Sequence, residues 1–254
     1  MFNSGGWLSR NQARIRHLHL DTGSNASVGQ RTIKEELLDL PELRLFSWCG
    51  IGSSAELEII IQSSLSEHST LVELELSAPD QYSFQIHDIN ANVSHTREAW
   101  CEDTSVPALD RKPLVVPNPS NLQRLRLEHI MFPLELDVLW RAFNVPRLNH
   151  LELNRCENVL GFAKRLSGTP EGHSKLKSLV YVSPTTDFGG WRAAEQIACF
   201  IGRQTGLENL IFFLHFKEGV NLAPSLKPHI YSLRKFVWVH RLAGTRHDDT
   251  LDKA

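Results

Sequence analysis

The sequence predicts an α/β solenoid, a stack of strand–turn–helix units, and three observations carry that reading. The pattern L-x-x-L-x-L, with conservative variants, recurs eight times along 254 residues, and its spacing stays near one value. Between occurrences the apolar period changes from two to about 3.6, the change expected where a strand gives way to a helix.

The clearest unit runs from Leu148 to Val159 and reads L-x-x-L-x-L-x-x-C-x-x-V. In a strand successive side chains alternate faces, so Leu151 and Leu153 point one way and His150, Glu152 and Asn154 the other. Cys156 falls where the chain turns out of the strand, and a small residue can tuck into the stack there. This is one unit of a leucine-rich repeat. Matching units are Ile15 with Leu18 and Leu20, Leu43 with Phe46 and Trp48, Leu71 with Leu74 and Leu76, and Leu122 with Leu125 and Leu127. Three more follow: Leu176 with Leu179 and Tyr181, Leu207 with Leu210 and Phe212, and Leu233 with Phe236 and Trp238. Subtracting the first positions gives separations of 28, 28, 51, 26, 28, 31 and 26 residues.

Helical spacing links the strands. It appears at Ile33, Leu37 and Leu40, at Leu57, Ile60, Ile61 and Leu65, and at Val138, Leu139, Ala142 and Phe143. It returns at Val159, Ala163 and Leu166, and at Trp191, Ala194, Ile197, Ala198 and Ile201. A unit with one helix cannot bury its own apolar face, so neighbouring units supply the missing surface. Right-handed crossovers then make the strands parallel. Strands lie about 4.8 Å apart while helices need about 10 Å, so the stack curves. The expected fold is a horseshoe of about eight repeats, with a parallel concave sheet and helices on the convex side.

The 51-residue interval implies an insertion at 79–120. It holds Pro79, Pro107, Pro113, Pro117 and Pro119, shows no sustained period, and is read as a loop replacing the third unit's helix, with a short helix around Arg97 to Glu102. The rival reading makes Leu114-Val115-Val116 a strand of a degenerate repeat, but prolines on both sides demote it. Residues 1–242 thus form a single repeat domain and 243–254 a polar, flexible tail. About a dozen residues precede the first strand, too few for a substantial cap, so the chain is expected to belong to a longer protein.

Lys and Arg number 27 against 29 Asp and Glu, a net charge of −2, which offers no electrostatic case for nucleic acid or an anionic membrane. No apolar run approaches the roughly 20 residues of a membrane span, and Met1 to Trp7 lacks the pattern of a signal peptide. An intracellular protein, cytoplasmic or nuclear, is expected. Cys49, Cys101, Cys156 and Cys199 are dispersed, which fits four reduced thiols rather than a disulfide framework or zinc knuckle. The sequons at Asn25 and Asn92 are then chance matches.

Eight irregular units spanning about Ala13 to Arg241 resemble the leucine-rich-repeat portion of F-box proteins, in particular fungal F-box-like proteins with degenerate repeats. Leu148 to Val159 matches the cysteine-containing consensus in full, and other units depart at the Cys position, where the fourth has Ile130. The resemblance implies the substrate-recognition part of a cullin-type ubiquitin ligase receptor. The F-box itself is not visible, so contact with a ligase adaptor would require it elsewhere in a longer chain.

Two motifs invite chemistry. Gly50-Ile-Gly52-Ser-Ser-Ala55 has the G-x-G-x-x-A form of a dinucleotide-binding turn between a strand and a helix, with Glu73 placed to meet a ribose. That arrangement would suit a nucleotide-dependent enzyme. The plainer reading is glycines easing a tight repeat turn, since the other units make the same turn without them. His17 and His19 flank Leu18 on one strand face, with Asp21 beyond and Cys49 on the next strand as the remaining metal ligand. Solvated histidines on a binding face are the simpler account. No serine elbow, H-E-x-x-H or Walker loop occurs, so the expectation is a protein without enzymatic activity and without a cofactor or metal.

The face opposite the leucines is the candidate binding surface. Its expected protein-binding residues are Glu73, Glu75, Arg124, Arg126, His150 and Glu152 in the charged part. Val180, Val182, Ile211, Phe213, Val237 and Val239 form a contiguous apolar patch in the C-terminal part, unless a C-terminal segment folds over it. The expected partner is another protein, with neither nucleic acid nor membrane involved. A stand-alone scaffold or inhibitor of the same fold would use the same face.

Overall fold

Each L-x-x-L-x-L unit supplies one strand of a single sheet. The computed structural model describes residues 14–21, 40–51, 70–78, 84–85, 121–132, 140, 143–168, 174–184, 190–215 and 220–240. In chain order the strands are β1 (His17–Asp21), β2 (Leu45–Cys49), β3 (Glu73–Ser77), β4 (Phe84–Gln85), β5 (Arg124–Glu128) and β6 (Ile130–Met131). They continue as β7 (His150–Asn154), β8 (Ser178–Val182), β9 (Asn209–Leu214) and β10 (Lys235–His240). Eight of them form one open, all-parallel sheet in the order β1-β2-β3-β5-β7-β8-β9-β10, so the fold is α/β.

The register repeats without a slip. One row across the sheet is Leu18, Phe46, Leu74, Leu125, Leu151, Leu179, Leu210 and Phe236; the next is Leu20, Trp48, Leu76, Leu127, Leu153, Tyr181, Phe212 and Trp238. From β2 to β9 every member of both rows is at most 2% exposed. Burying each of these side chains contributes about 1.5–3 kcal/mol, and a one-residue slip would turn a whole strand's apolar set to the other face. Among the described residues the outer strands have a neighbour on one side only. Leu18, Leu20 and Trp238 are accordingly partly buried, and Phe236, expected among the core residues, is 44% exposed.

Backbone hydrogen bonds repeat with the same period. At every strand entry one carbonyl accepts two consecutive N–H groups of the next unit: Arg16 O takes Arg44 and Leu45, Gln123 O takes Asn149 and His150, and Glu208 O takes Arg234 and Lys235. At the exits, Gly50 and Ile51 donate to Ser77 O, His129 to Asn154 O and Arg155 to Val182 O.

The links cover the leucine side. Helix α1 (Val159–Ser167) and helix α2 (Gly190–Arg203) stand where apolar spacing placed them. In α2, Ala193, Ala194, Ile197, Ala198, Phe200 and Ile201 form the buried stripe. Arg203 Nη1 donates to Ser167 O at 2.8 Å, a cation on the last carbonyls of α1. The link before β10 is shorter, one turn of α3 (Ala223–Leu226) running into a 3₁₀ turn at Lys227–His229. Before β7, Trp140 is helical, but the chain turns at Phe143 and Asn144 and enters a 3₁₀ turn at Val145–Arg147. The helices expected over 33–40 and 57–65 lie outside the described residues, except Leu40, which is not helical.

β3 pairs directly with β5, Glu73 opposite Arg124 and Glu75 opposite Arg126, so no strand stands between them. Of the 79–120 stretch only Phe84–Gln85 is described, and it pairs in parallel with β6, Phe84 opposite Ile130. The sequence reading placed no strand there, because two residues are too few to show a period. The tail at 243–254 also lies outside the described residues.

Candidate functional site

Alternation along the strands builds three outward rows. The first runs His17, Leu45, Glu73, Arg124, His150, Ser178, Asn209, Lys235 and the second His19, Ser47, Glu75, Arg126, Glu152, Val180, Ile211, Val237. The third runs Asp21, Cys49, Ser77, Glu128, Asn154, Val182, Phe213, Val239. All twelve residues singled out from the sequence sit in these rows. The register brings six together on β3, β5 and β7 and six on β8, β9 and β10.

Ion pairs and hydrogen bonds link most of the charged half. Arg124 Nη1 lies 3.4 Å from Glu73 Oε1, and Arg126 Nε lies 3.2 Å from Glu152 Oε1. Arg126 Nη2 also reaches Glu128 Oε2 at 3.4 Å, while Asn154 Nδ2 donates to Glu128 Oε1 at 2.6 Å. His150 Nε2 stands 3.7 Å from Glu152 Oε2. Interaction with His150, and after it the charge of Arg126, hold the Glu152 carboxyl below its ordinary value against the opposing effect of burial. Glu128 and Asn154 were not among the sequence candidates. The step of two residues that found Val182, Phe213 and Val239 leads to them as well.

The apolar half is a lattice of two residues on each of three strands: Val180 and Val182, Ile211 and Phe213, Val237 and Val239. Each is half-buried rather than fully exposed, because neighbours in one row stand about 4.8 Å apart and shield one another. Phe213 also packs on the ring of His215, centroids 4.9 Å apart.

Where β1, β2, β3 and β5 meet the open side, a cavity of about 310 Å³ is lined by residues including His19, Ser47, Cys49, Glu75, Arg126 and Glu128. The Cys49 thiol is pushed up first by burial and then by Asp21 and Glu128, with Arg126 opposing and Glu75 adding to the rise. Ser47 faces this side yet is only 4% exposed.

The Gly50 turn has a structural explanation. Gly50 has φ 88°, and His129 and Arg155, just past the ends of β5 and β7, turn with φ 55° and 51°. The same left-handed conformation therefore recurs, and glycine adopts it without a Cβ penalty. Gly50 and Ile51 donate to Ser77 O at 2.9 and 3.2 Å, so these two amides already hold β3. Gly52 to Ala55 lie outside the described residues.

Cys156 is 1% exposed and its thiol donates to Leu127 O at 3.2 Å, tying the turn to the preceding strand. Burial pushes its pKa up to about 12. Among the described residues, no three His, Cys, Asp or Glu side chains converge as a metal site. None of the described helices is long and apolar enough to cross a membrane.

No protein-family model, curated protein or solved structure matches the chain.

Proposed function

We propose that the chain is a leucine-rich-repeat module that binds another protein through the open face of its sheet, as the substrate-recognition part of an F-box-like ubiquitin ligase receptor. The repeat assignment is supported by the slip-free leucine rows and by the recurring carbonyl that accepts two amides at each strand entry. In this reading the sheet is the concave side of a horseshoe, and the ligase role follows from the resemblance of the repeat pattern.

The observation that carries the binding role is the apolar lattice of Val180, Val182, Ile211, Phe213, Val237 and Val239 on contiguous strands beside a charged half. Apolar side chains gathered on an outward face mark a partner surface, and charges beside them fix register and reject wrong partners. The test is affinity capture with the intact chain and with Phe213→Glu and Val237→Glu. Both substitutions are expected to abolish capture of the same partner while leaving the thermal melt within a few degrees of wild type. Capture undiminished in both folded variants would refute the assignment.

A further inference from the structure

The cavity over β1–β5 has a chemistry that the apolar lattice does not share. Ser47 lies on its wall, 4% exposed, and its hydroxyl has no hydrogen-bond partner among the described residues. The oxygen itself is not fully enclosed: it keeps access to the cavity, where an entering polar group can pair with it. Beside it, the Glu75 carboxylate takes part in no hydrogen bond or ion pair among the described residues. Arg126, the cation on the same wall, is engaged by Glu152 and Glu128 at 3.2 and 3.4 Å.

The surroundings are acidic. The outward rows of β1, β2, β3, β5 and β7 carry five carboxylates, Asp21, Glu73, Glu75, Glu128 and Glu152, against two guanidiniums, Arg124 and Arg126. On the cavity wall itself Glu75 and Glu128 stand against Arg126, which leaves an excess of negative charge that attracts a cation. The Cys49 thiol is raised mainly by burial, and Asp21, Glu128 and Glu75 add to the rise against Arg126. Leu45, Trp48 and Leu76 complete the lining with apolar surface. An apolar stem ending in a cation would match both kinds of wall.

We propose that this recess accepts a lysine or arginine side chain of the protein partner, with Glu75 as counter-ion and the Ser47 hydroxyl oxygen accepting a hydrogen bond from the cationic head. The proposal rests on the protein-binding reading above and names the partner residue that enters the polar half of the face.

Cys49 is a built-in reporter. In the full chain carrying Cys101→Ser and Cys199→Ser, the rate of Cys49 modification is measured with aminoethyl and sulfonatoethyl methanethiosulfonate, each divided by its rate on the unfolded chain. The cationic reagent is expected to react about ten-fold faster at low salt, with the advantage shrinking in high salt and in Glu75→Gln. A ratio of one or below, or one that Glu75→Gln leaves unchanged, overturns the proposal. In a second arm, N-acetyl-lysine amide and N-acetyl-arginine amide are expected to protect Cys49, and N-acetyl-norleucine amide is not. Ser47→Ala should weaken that protection without altering the far-ultraviolet circular dichroism. Equal protection by norleucine overturns the cation assignment, and better protection by n-butylamine than by either amino-acid amide overturns the side-chain source. These probes need no partner and do not touch Phe213 or Val237, so failure here is distinct from failure of the partner capture.

Discussion

The Arg124 guanidinium lies 3.4 Å from the Glu73 carboxylate although 51 positions separate them in the chain. The two residues are direct register partners on adjacent parallel strands, so the longest interval between units closes like the shorter ones. On their C-terminal side Arg126 meets Glu152 at 3.2 Å. Acidic, basic and acidic strands thus stand side by side, an order in which each opposite-charge pair contributes about 0.2–1 kcal/mol and a wrong register would juxtapose like charges.

Because β3 and β5 pair directly, the sheet does not need the intervening stretch as a spacer. Replacing residues 86–119 by a linker of half that length changes loop-closure entropy by only about 0.6 kcal/mol. Urea unfolding of such a variant is expected to stay cooperative and within about 1 kcal/mol of wild type. Loss of cooperativity would show that the sheet depends on the removed segment.

Leu151 is fully buried in the middle of its row, whereas Leu18 on the first strand is partly buried. Leu151→Ala should cost about 2–5 kcal/mol and Leu18→Ala clearly less, read from urea midpoints at constant slope. Leu151→Asp should abolish the cooperative melt, since it places an unpaired charge among the leucines. A normal melt for Leu151→Asp would contradict the inward orientation.

Glu152 makes stability acid-sensitive in one direction. Its folded pKa lies below the ordinary 4.5, so its stabilisation is present above that value and is lost as pH falls through the folded pKa. Glu152→Gln should therefore be less stable than wild type near neutrality, and the gap should close as pH falls below 4.5. Urea titrations on both sides of that value measure the gap, and a gap independent of pH would contradict the pairing.

Cys156 gives the opposite slope at alkaline pH. Its thiol ionises from 9.0 in the unfolded chain but near 12 in the fold, so its protonated form favours folding below 9.0, and that contribution disappears as pH rises towards 12. Wild type should lose stability relative to Cys156→Ala across that range. Thiol labelling of the native protein should modify the exposed Cys199 and spare Cys156 until the chain unfolds. Rapid native labelling of Cys156 would show that the turn is open.

The eight strands of the main sheet, their parallel order and the face each of their residues takes are all legible in the sequence. Alternation is a local property of extended backbone, and the near-constant spacing from Leu122 to Leu233 makes each strand's neighbour the next in the chain. For the same reason all twelve candidate site residues were legible as one face.

Tertiary structure alone decided what depends on residues meeting from distant units. His229 shows no pattern in the sequence, yet it is fully buried, its Nε2 donating to Ile201 O at 2.8 Å and its Nδ1 accepting the Leu207 amide at 3.3 Å. The pairing of Phe84–Gln85 with Ile130–Met131 rests on backbone hydrogen bonds that side-chain pattern does not mark. Ser47 reads as exposed by its parity, but neighbouring strands leave it 4% exposed beside a cavity, and Phe236 reads as core but lies on a strand that, among the described residues, is paired on one side. Parity specifies the face a side chain takes. How deeply it is buried there depends on the volume of the groups that neighbouring strands bring against it, which no local period encodes.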